Sequence, residues 1–182
     1  VNVHLECLYP FWTETPWTLA LSGKKVLVIH PFTETIKSQY SRKNLLFDNL
    51  NILPDYELKT LRAVQANAGN EVPFKKWFEA LKWMEDEIVK IDFDICMLGC
   101  GAYGLPLAAT IKRMGKKAIH MGGGSQLLFG IKGKRWDNNA YHWKNRLELK
   151  TNYSSLYKKY WVRPSQDETP KAAINVEEAC YW

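Results

Sequence analysis

The sequence predicts an α/β fold built on a Rossmann-like open parallel sheet of about four or more strands with helices on both faces. Three observations predict it: short apolar runs without alternation, helical stretches between these runs, and a glycine-rich turn directly after one run. Such runs are typical of strands buried on both faces, and their alternation with helices is typical of a doubly wound sheet. A length of 182 residues suits one such domain.

The chain is expected to form one domain with an irregular arm at each end. Residues 1–22 are rich in aromatic residues and proline, residues 23–133 carry the predicted sheet, and residues 134–182 are a basic aromatic segment ending in a loose acidic tail. Neither a signal peptide nor an apolar run of about 20 residues is visible, so we expect no membrane span and a cytoplasmic location. Because the chain begins with Val1, we expect an N-terminal portion to precede it.

The predicted strands are short and rich in apolar or β-branched side chains. They cover residues 26–30, 58–64, 95–98 and 118–121. The predicted helices lie between and after them, at residues 36–47, from 73 to 88, at 105–114, and in two short stretches at 138–149 and 153–161. Thr33 and Thr35 are the expected N-caps of the first helix. Apolar residues at spacings of three and four make the helix from Pro73 the clearest one.

The sharpest local motif is GCGAYG, in which Gly99, Gly101 and Gly104 follow a strand and precede a helix. In this G-x-G-x-x-G register the glycines permit a tight turn, a close approach of the backbone to a phosphate, and close packing of helix on strand. We therefore expect Gly99, Gly101, Ala102, Tyr103 and Gly104 to contact a nucleotide. The alternative is a tight turn without a ligand.

A dinucleotide cofactor also needs an acidic residue at the end of the next strand. The sequence has His120-Met121-Gly122 there, so an NAD(P)-dependent oxidoreductase is a minor alternative. His120, at a strand end, is a candidate base or phosphate ligand.

Two further loops are expected at the same rim of the sheet, because ligands bind outside the carboxyl ends of parallel strands. The loop after the first strand contributes His30, Thr33 and the acidic candidate Glu34. The loop after the fourth strand contributes Gly122, Gly123, Gly124, Ser125 and Gln126, with a flexible connection as the alternative.

The segment GIKGKRW places Lys132, Lys134 and Arg135 between glycines and beside Trp136. These cations could close over a diphosphate. The net charge of +6 and the aromatic residues of 132–163 suggest nucleic acid as another partner, but no named nucleic-acid motif is present. The four cysteines and four histidines lack a metal-ligand spacing, so we expect no structural metal.

The runs ICML, GCGAYGLPLA, GKKAIHMGG and QLLFGIKGKRW together resemble the carboxy-terminal part of bacterial GT-D-type glycosyltransferases, which act in surface polysaccharide or glycan assembly. The resemblance covers about Lys24 to Trp136. It implies a nucleotide-sugar donor, a glycan acceptor, and Mn²⁺ or Mg²⁺ assisted by an acidic motif near the start of the domain. Residues 1–22 hold no equivalent of that motif, which we therefore expect upstream of Val1.

The resulting hypothesis is transfer of a sugar from a nucleoside-diphosphate donor to a glycan or polysaccharide acceptor. The glycine turn would approach the diphosphate, the loop 122–126 would shape the sugar or base pocket, and His120, Arg135 and Glu34 are the catalytic candidates. Lys134 and Arg135 would offset the charge of the leaving group. The alternative from another class is a non-catalytic Rossmann-like module that binds nucleic acid or a protein partner.

Overall fold

The protein has a four-stranded parallel sheet in a computed structural model that describes residues 8–137 and 153–182. The strands are β1 (Lys25–His30), β2 (Glu57–Arg62), β3 (Ile95–Leu98) and β4 (Lys117–His120), in the spatial order β2-β1-β3-β4. This confirms the Rossmann-like α/β prediction. The chain runs outward from β1 to β2 and then returns to the other side of β1, so the carboxyl ends of β1 and β3 form a topological switch point.

Helices cover both faces of the sheet. They are α1 (Thr33–Tyr40), α2 (Trp77–Val89), α3 (Gly104–Arg113) and the short α4 (Gly124–Leu128). In β1, Val26 and Val28 enter the hydrophobic core on one face, and Leu27 and Ile29 enter the core on the other. All four side chains are fully buried, which explains why this strand shows no polar alternation.

Some element boundaries differ from the predicted ones. The first helix ends at Tyr40 and gives way to a 3₁₀ turn at Lys43–Leu45, so its predicted extension to residue 47 is wrong. The second helix starts at Trp77 and not at Pro73. Just before Trp77, the N–H groups of Lys75 and Lys76 donate hydrogen bonds to the Glu79 side chain. The predicted helix at 138–149 lies outside the described residues, and that at 153–161 is reduced to the 3₁₀ turn Tyr153–Leu156.

None of the helices formed by residues 8–137 and 153–182 has the length and apolarity that a bilayer crossing requires.

The C-terminal segment packs against the start of α1, so the prediction of a loose tail is wrong. Glu168 is 3% exposed, and its carboxylate accepts hydrogen bonds from the backbone N–H groups of Glu34 (2.7 Å) and Thr35 (3.1 Å). The Thr35 hydroxyl donates to the same carboxylate. Thr33 and Thr35 lie within α1, so neither is its N-cap, and the N-cap residue Phe32 has no capping side chain. Glu168 therefore supplies the cap and a negative charge at the helix N-terminus.

Replacing Glu168 with alanine is expected to lower the free energy of unfolding by about 2 kcal/mol, because it leaves the N–H groups of Glu34 and Thr35 without their acceptor. Urea denaturation measures the change. Asp167→Ala is the matched control, since the Asp167 side chain is exposed and one residue away. Equal stability of the two variants would contradict the capping role of Glu168.

Candidate ligand-binding site

A cavity of about 400 Å³ lies at the carboxyl-end rim of the sheet. This volume is within the usual range for small-molecule sites, and the rim of an open α/β sheet is where ligands bind. The lining residues come from the segments after all four strands, from the start of α2 and from the C-terminal segment. They are His30, Pro31, Phe32, Val64, Gln65, Ala66, Asn67, Trp77, Gly99, Cys100, Gly101, Ala102, Tyr103, Gly123, Gln126 and Tyr181.

The lining contributed by the described residues contains no lysine, arginine, aspartate or glutamate. Within residues 8–137 and 153–182, no group of three or more His, Cys, Asp or Glu side chains is placed to hold a metal ion. Divalent Mg²⁺ and Mn²⁺ prefer carboxylate oxygens. The side chains of the cavity therefore do not fit the divalent metal that the resemblance implies, and we assign no step to one.

The three glycines of GCGAYG serve different needs. A Cβ on Gly99 would lie 2.0 Å from Ser125 Oγ, and a Cβ on Gly104 would lie 2.2 Å from the His120 ring. Gly101 instead has open space but a φ of +55°, a left-handed conformation that favours glycine. The third glycine thus lets α3 pack closely on β4, as the motif predicts.

The turn after β3 contributes to the cavity two residues whose backbone N–H groups are available as donors. Gly101 and Ala102 begin the 3₁₀ turn Gly101–Tyr103 that leads directly into α3, and both line the cavity. Their N–H groups have no acceptor among the described residues, whereas that of Tyr103 donates to the carbonyl of Cys100 (3.2 Å). N–H groups at the start of a helix favour a negatively charged group.

His30, the last residue of β1, is a neutral hydrogen-bond donor. Its Nδ1 accepts the N–H of Phe32 (3.0 Å), so the proton of the neutral ring is on Nε2. The ring is 3% exposed, and burial lowers its pKa to about 3. The Nε2–H group has no acceptor in the part of the chain that the structure describes. The Cδ2 edge next to Nε2 faces Gly99, where a Cβ would lie 2.4 Å away.

The loop after β4 contributes less than predicted. Gly123 and Gln126 line the cavity, but Gly122, Gly124 and Ser125 do not. A Cβ on Gly124 would lie only 2.1–2.3 Å from atoms of the Tyr9 phenol group. The Ser125 hydroxyl donates a hydrogen bond to the carbonyl of Gly122 (2.7 Å). The glycine run is therefore a close-packed turn and not a flexible connection.

The predicted catalytic residues His120 and Glu34 and the predicted binding residue Thr33 lie outside the cavity lining. His120 packs against Gly104, and its Nδ1 lies 3.3 Å from the carbonyl oxygen of Leu98. Thr33 is buried in the first turn of α1. Glu34 is exposed and pairs with Lys37 at 2.8 Å, and this hydrogen bond lowers the pKa of Glu34. The structure therefore does not bring these three side chains to the cavity.

The cations of GIKGKRW lie outside the cavity lining and have partners of their own. Lys132 Nζ lies 5.2 Å from the ring centroid of Tyr157, and Lys134 pairs with Glu178 at 3.7 Å. Arg135 pairs with Glu177 and donates to the hydroxyl of Tyr181 (3.1 Å). None of the three lines the cavity. The structure therefore does not bring them to a position where they close over a diphosphate in the cavity.

Two aromatic residues that line the cavity, Trp77 and Tyr181, were not predicted from the sequence as site residues. The ring of Trp77 at the start of α2 stacks on Tyr103, with centroids 4.9 Å apart and planes 3° apart. The sequence pattern predicts Trp77 only as an apolar position of an amphipathic helix. Tyr181 carries no local signal, because its position depends on the folding of the C-terminal segment back onto the sheet.

No family model, curated protein or solved structure matches this chain.

The free energy of unfolding is expected to decrease as the pH is lowered, and the buried His30 ring is expected to cause part of this decrease. The unfolded state takes up a proton near pH 6.5, whereas the folded state does so only near pH 3, so the stabilisation is complete above pH 6.5 and is lost as the pH falls towards 3. Between pH 7 and pH 5 the free energy of unfolding should drop by about 2 kcal/mol more in the native chain than in His30→Asn. Urea denaturation at both pH values measures this difference, and parallel pH dependences would contradict it.

Proposed function

We propose that this chain binds a nucleoside-diphosphate sugar in the rim cavity and is the nucleotide-sugar-binding part of a glycosyltransferase acting on a glycan acceptor. One observation carries the proposal: the G-x-G-x-x-G turn after β3 borders a cavity at the topological switch point, and two of its lining residues have backbone N–H groups without acceptors among the described residues. That the nucleotide carries a sugar is inferred from the resemblance to GT-D-type glycosyltransferases.

The diphosphate is assigned to the turn between β3 and α3. The N–H groups of Gly101 and Ala102 lie there, and the Nε2–H of His30 adds a third donor to the same cavity. The comparable position at the start of α1 already holds the Glu168 carboxylate, so a second anion there would meet a like charge. Donors aimed at the diphosphate would stabilise the charge that it gains as the sugar departs.

The shape of the cavity supports an elongated ligand. Its lining extends from the end of β2 to the turn after β4, and these outer strands are three strand spacings apart, or about 14 Å. At the β2 end, Trp77 offers an aromatic ring and Gln65 and Asn67 offer amides, which suits a nucleobase. The sugar is then assigned to the β4 end.

The alternative of a nucleic-acid-binding module gains no support from the cations that the structure describes in the C-terminal half. Four of them are paired with carboxylates, in the ion pairs Lys134–Glu178, Arg135–Glu177, Lys158–Asp48 and Arg163–Asp137. Such pairing reduces the positive field that binding to phosphate backbones requires.

Calorimetric titration with UDP-, GDP- and CMP-sugars, with and without Mn²⁺, tests the proposal. We expect at least one of them to bind, and Ala102→Pro to weaken that binding about tenfold because it removes one N–H donor to a charged group. Proline is tolerated in a first helical turn, and Ala102→Gly, which keeps the N–H, is the matched control. Absence of binding at millimolar concentration, or equal affinity of the two variants, would contradict the proposal.

A further inference from the structure

The C-terminal segment contributes Tyr181 to the β4 end of the cavity. The ring lies directly on the turn that follows β4, where a Cβ on Gly123 would be 2.6 Å from Tyr181 Cε1. Residue 123 must therefore lack a side chain for Tyr181 to occupy this position. Gln126, which also lines the cavity, donates from Nε2 to the carbonyl of Tyr181 (3.1 Å).

Tyr181 is fixed by its own backbone and by that of its neighbours. The carbonyls of Cys180 and Trp182 accept hydrogen bonds from the N–H groups of Arg135 (2.9 Å) and Lys134 (3.2 Å). The chain enters this position through residues 177–179, three successive non-glycine residues with φ between 43° and 64°. Such left-handed backbone is costly and persists where surrounding contacts hold it. The backbone of Tyr181 is therefore held in place beside the cavity.

Arg135 fixes the orientation of the ring and leaves no uncompensated charge beside it. Its guanidinium carbon lies 4.7 Å from the ring centroid of Tyr181, and its Nη1 donates to the Tyr181 hydroxyl (3.1 Å). The same guanidinium pairs with the Glu177 carboxylate. What Tyr181 adds to the cavity is thus an aromatic surface whose hydroxyl already has a partner.

We propose that Tyr181 contacts the sugar of the bound nucleotide sugar and selects a neutral sugar over one that carries a carboxylate. The inference rests on the proposed function, since it takes the β4 end as the sugar end. An aromatic wall and the Gln126 side chain suit the C–H and hydroxyl groups of a neutral hexose. A carboxylate would lose its hydration there without meeting a cation, because Arg135 already pairs with Glu177.

Calorimetry with the full chain tests this selection, using UDP, GDP, UDP-glucose, GDP-mannose and UDP-glucuronate as ligands. Tyr181→Ala should weaken binding of the neutral sugar nucleotides at least tenfold and change binding of sugar-free UDP or GDP less than twofold. Tyr181→Phe, which keeps the ring, should bind like the native chain. Tyr160→Ala is the control, since Tyr160 is exposed and lies outside the cavity lining.

Three results would overturn the proposal. Equal weakening of sugar-free and sugar-bearing nucleotides by Tyr181→Ala would show a purely structural role, and so would loss of sugar binding in Tyr181→Phe with a changed unfolding midpoint. Binding of UDP-glucuronate by the native chain as tightly as UDP-glucose would show that the site does not select a neutral sugar. In each of these cases the native chain still binds a nucleotide, so the proposed function stands, whereas failure of every nucleotide and nucleotide sugar to bind the native chain would overturn the proposed function as well.

Discussion

The contact between Glu168 and the first turn of α1 determines much of the rim. By accepting the N–H groups of Glu34 and Thr35, this buried carboxylate ties the C-terminal segment to a helix that lies more than 130 residues earlier in the chain. Trp182 strengthens the same attachment, because its indole N–H donates to the carbonyl of Glu168 (3.1 Å). Tyr181 reaches the cavity as part of this attached segment.

The same contact constrains where a ligand anion can bind. In many doubly wound sheets a phosphate lies at the start of the helix after the first strand. Here that position holds the protein's own carboxylate, so the turn between β3 and α3 is the position with backbone donors to offer. The neutral donor His30 and the uncharged lining complete a cavity that can hold an anion through hydrogen bonds, without a side chain of opposite charge.

The sheet could be predicted from sequence because its information is local. The central strands β1 and β3 are apolar runs, β3 matches the predicted residues 95–98 in full, and the glycine motif lies where strand meets helix. The partners of charged side chains could not be predicted in this way. Lys134 and Arg135 appeared available for a diphosphate, but Glu178 and Glu177 hold them, and no local pattern links these residues. His120 appeared at a strand end as a base candidate, but its ring fills the space left by Gly104.

The part of the site formed by strand ends and their turns could therefore be predicted from the sequence, whereas the part formed by the C-terminal segment could not. Gly99, Gly101, Ala102, Tyr103 and His30 line the cavity, because strand ends and their turns share one rim, whereas Gly104 packs against His120. Tyr181 follows a left-handed turn of non-glycine residues that sequence preferences disfavour.

A titration of the ¹⁵N-labelled chain with UDP and GDP, followed by amide chemical shifts, tests whether the diphosphate binds at the turn between β3 and α3. Binding at this turn predicts large shifts for the amides of Gly101 and Ala102 and little change for those of Glu34 and Thr35, which remain bonded to Glu168. Shifts at Glu34 and Thr35 without shifts at Gly101 and Ala102 would contradict it, since the anion would then bind at α1 in place of Glu168.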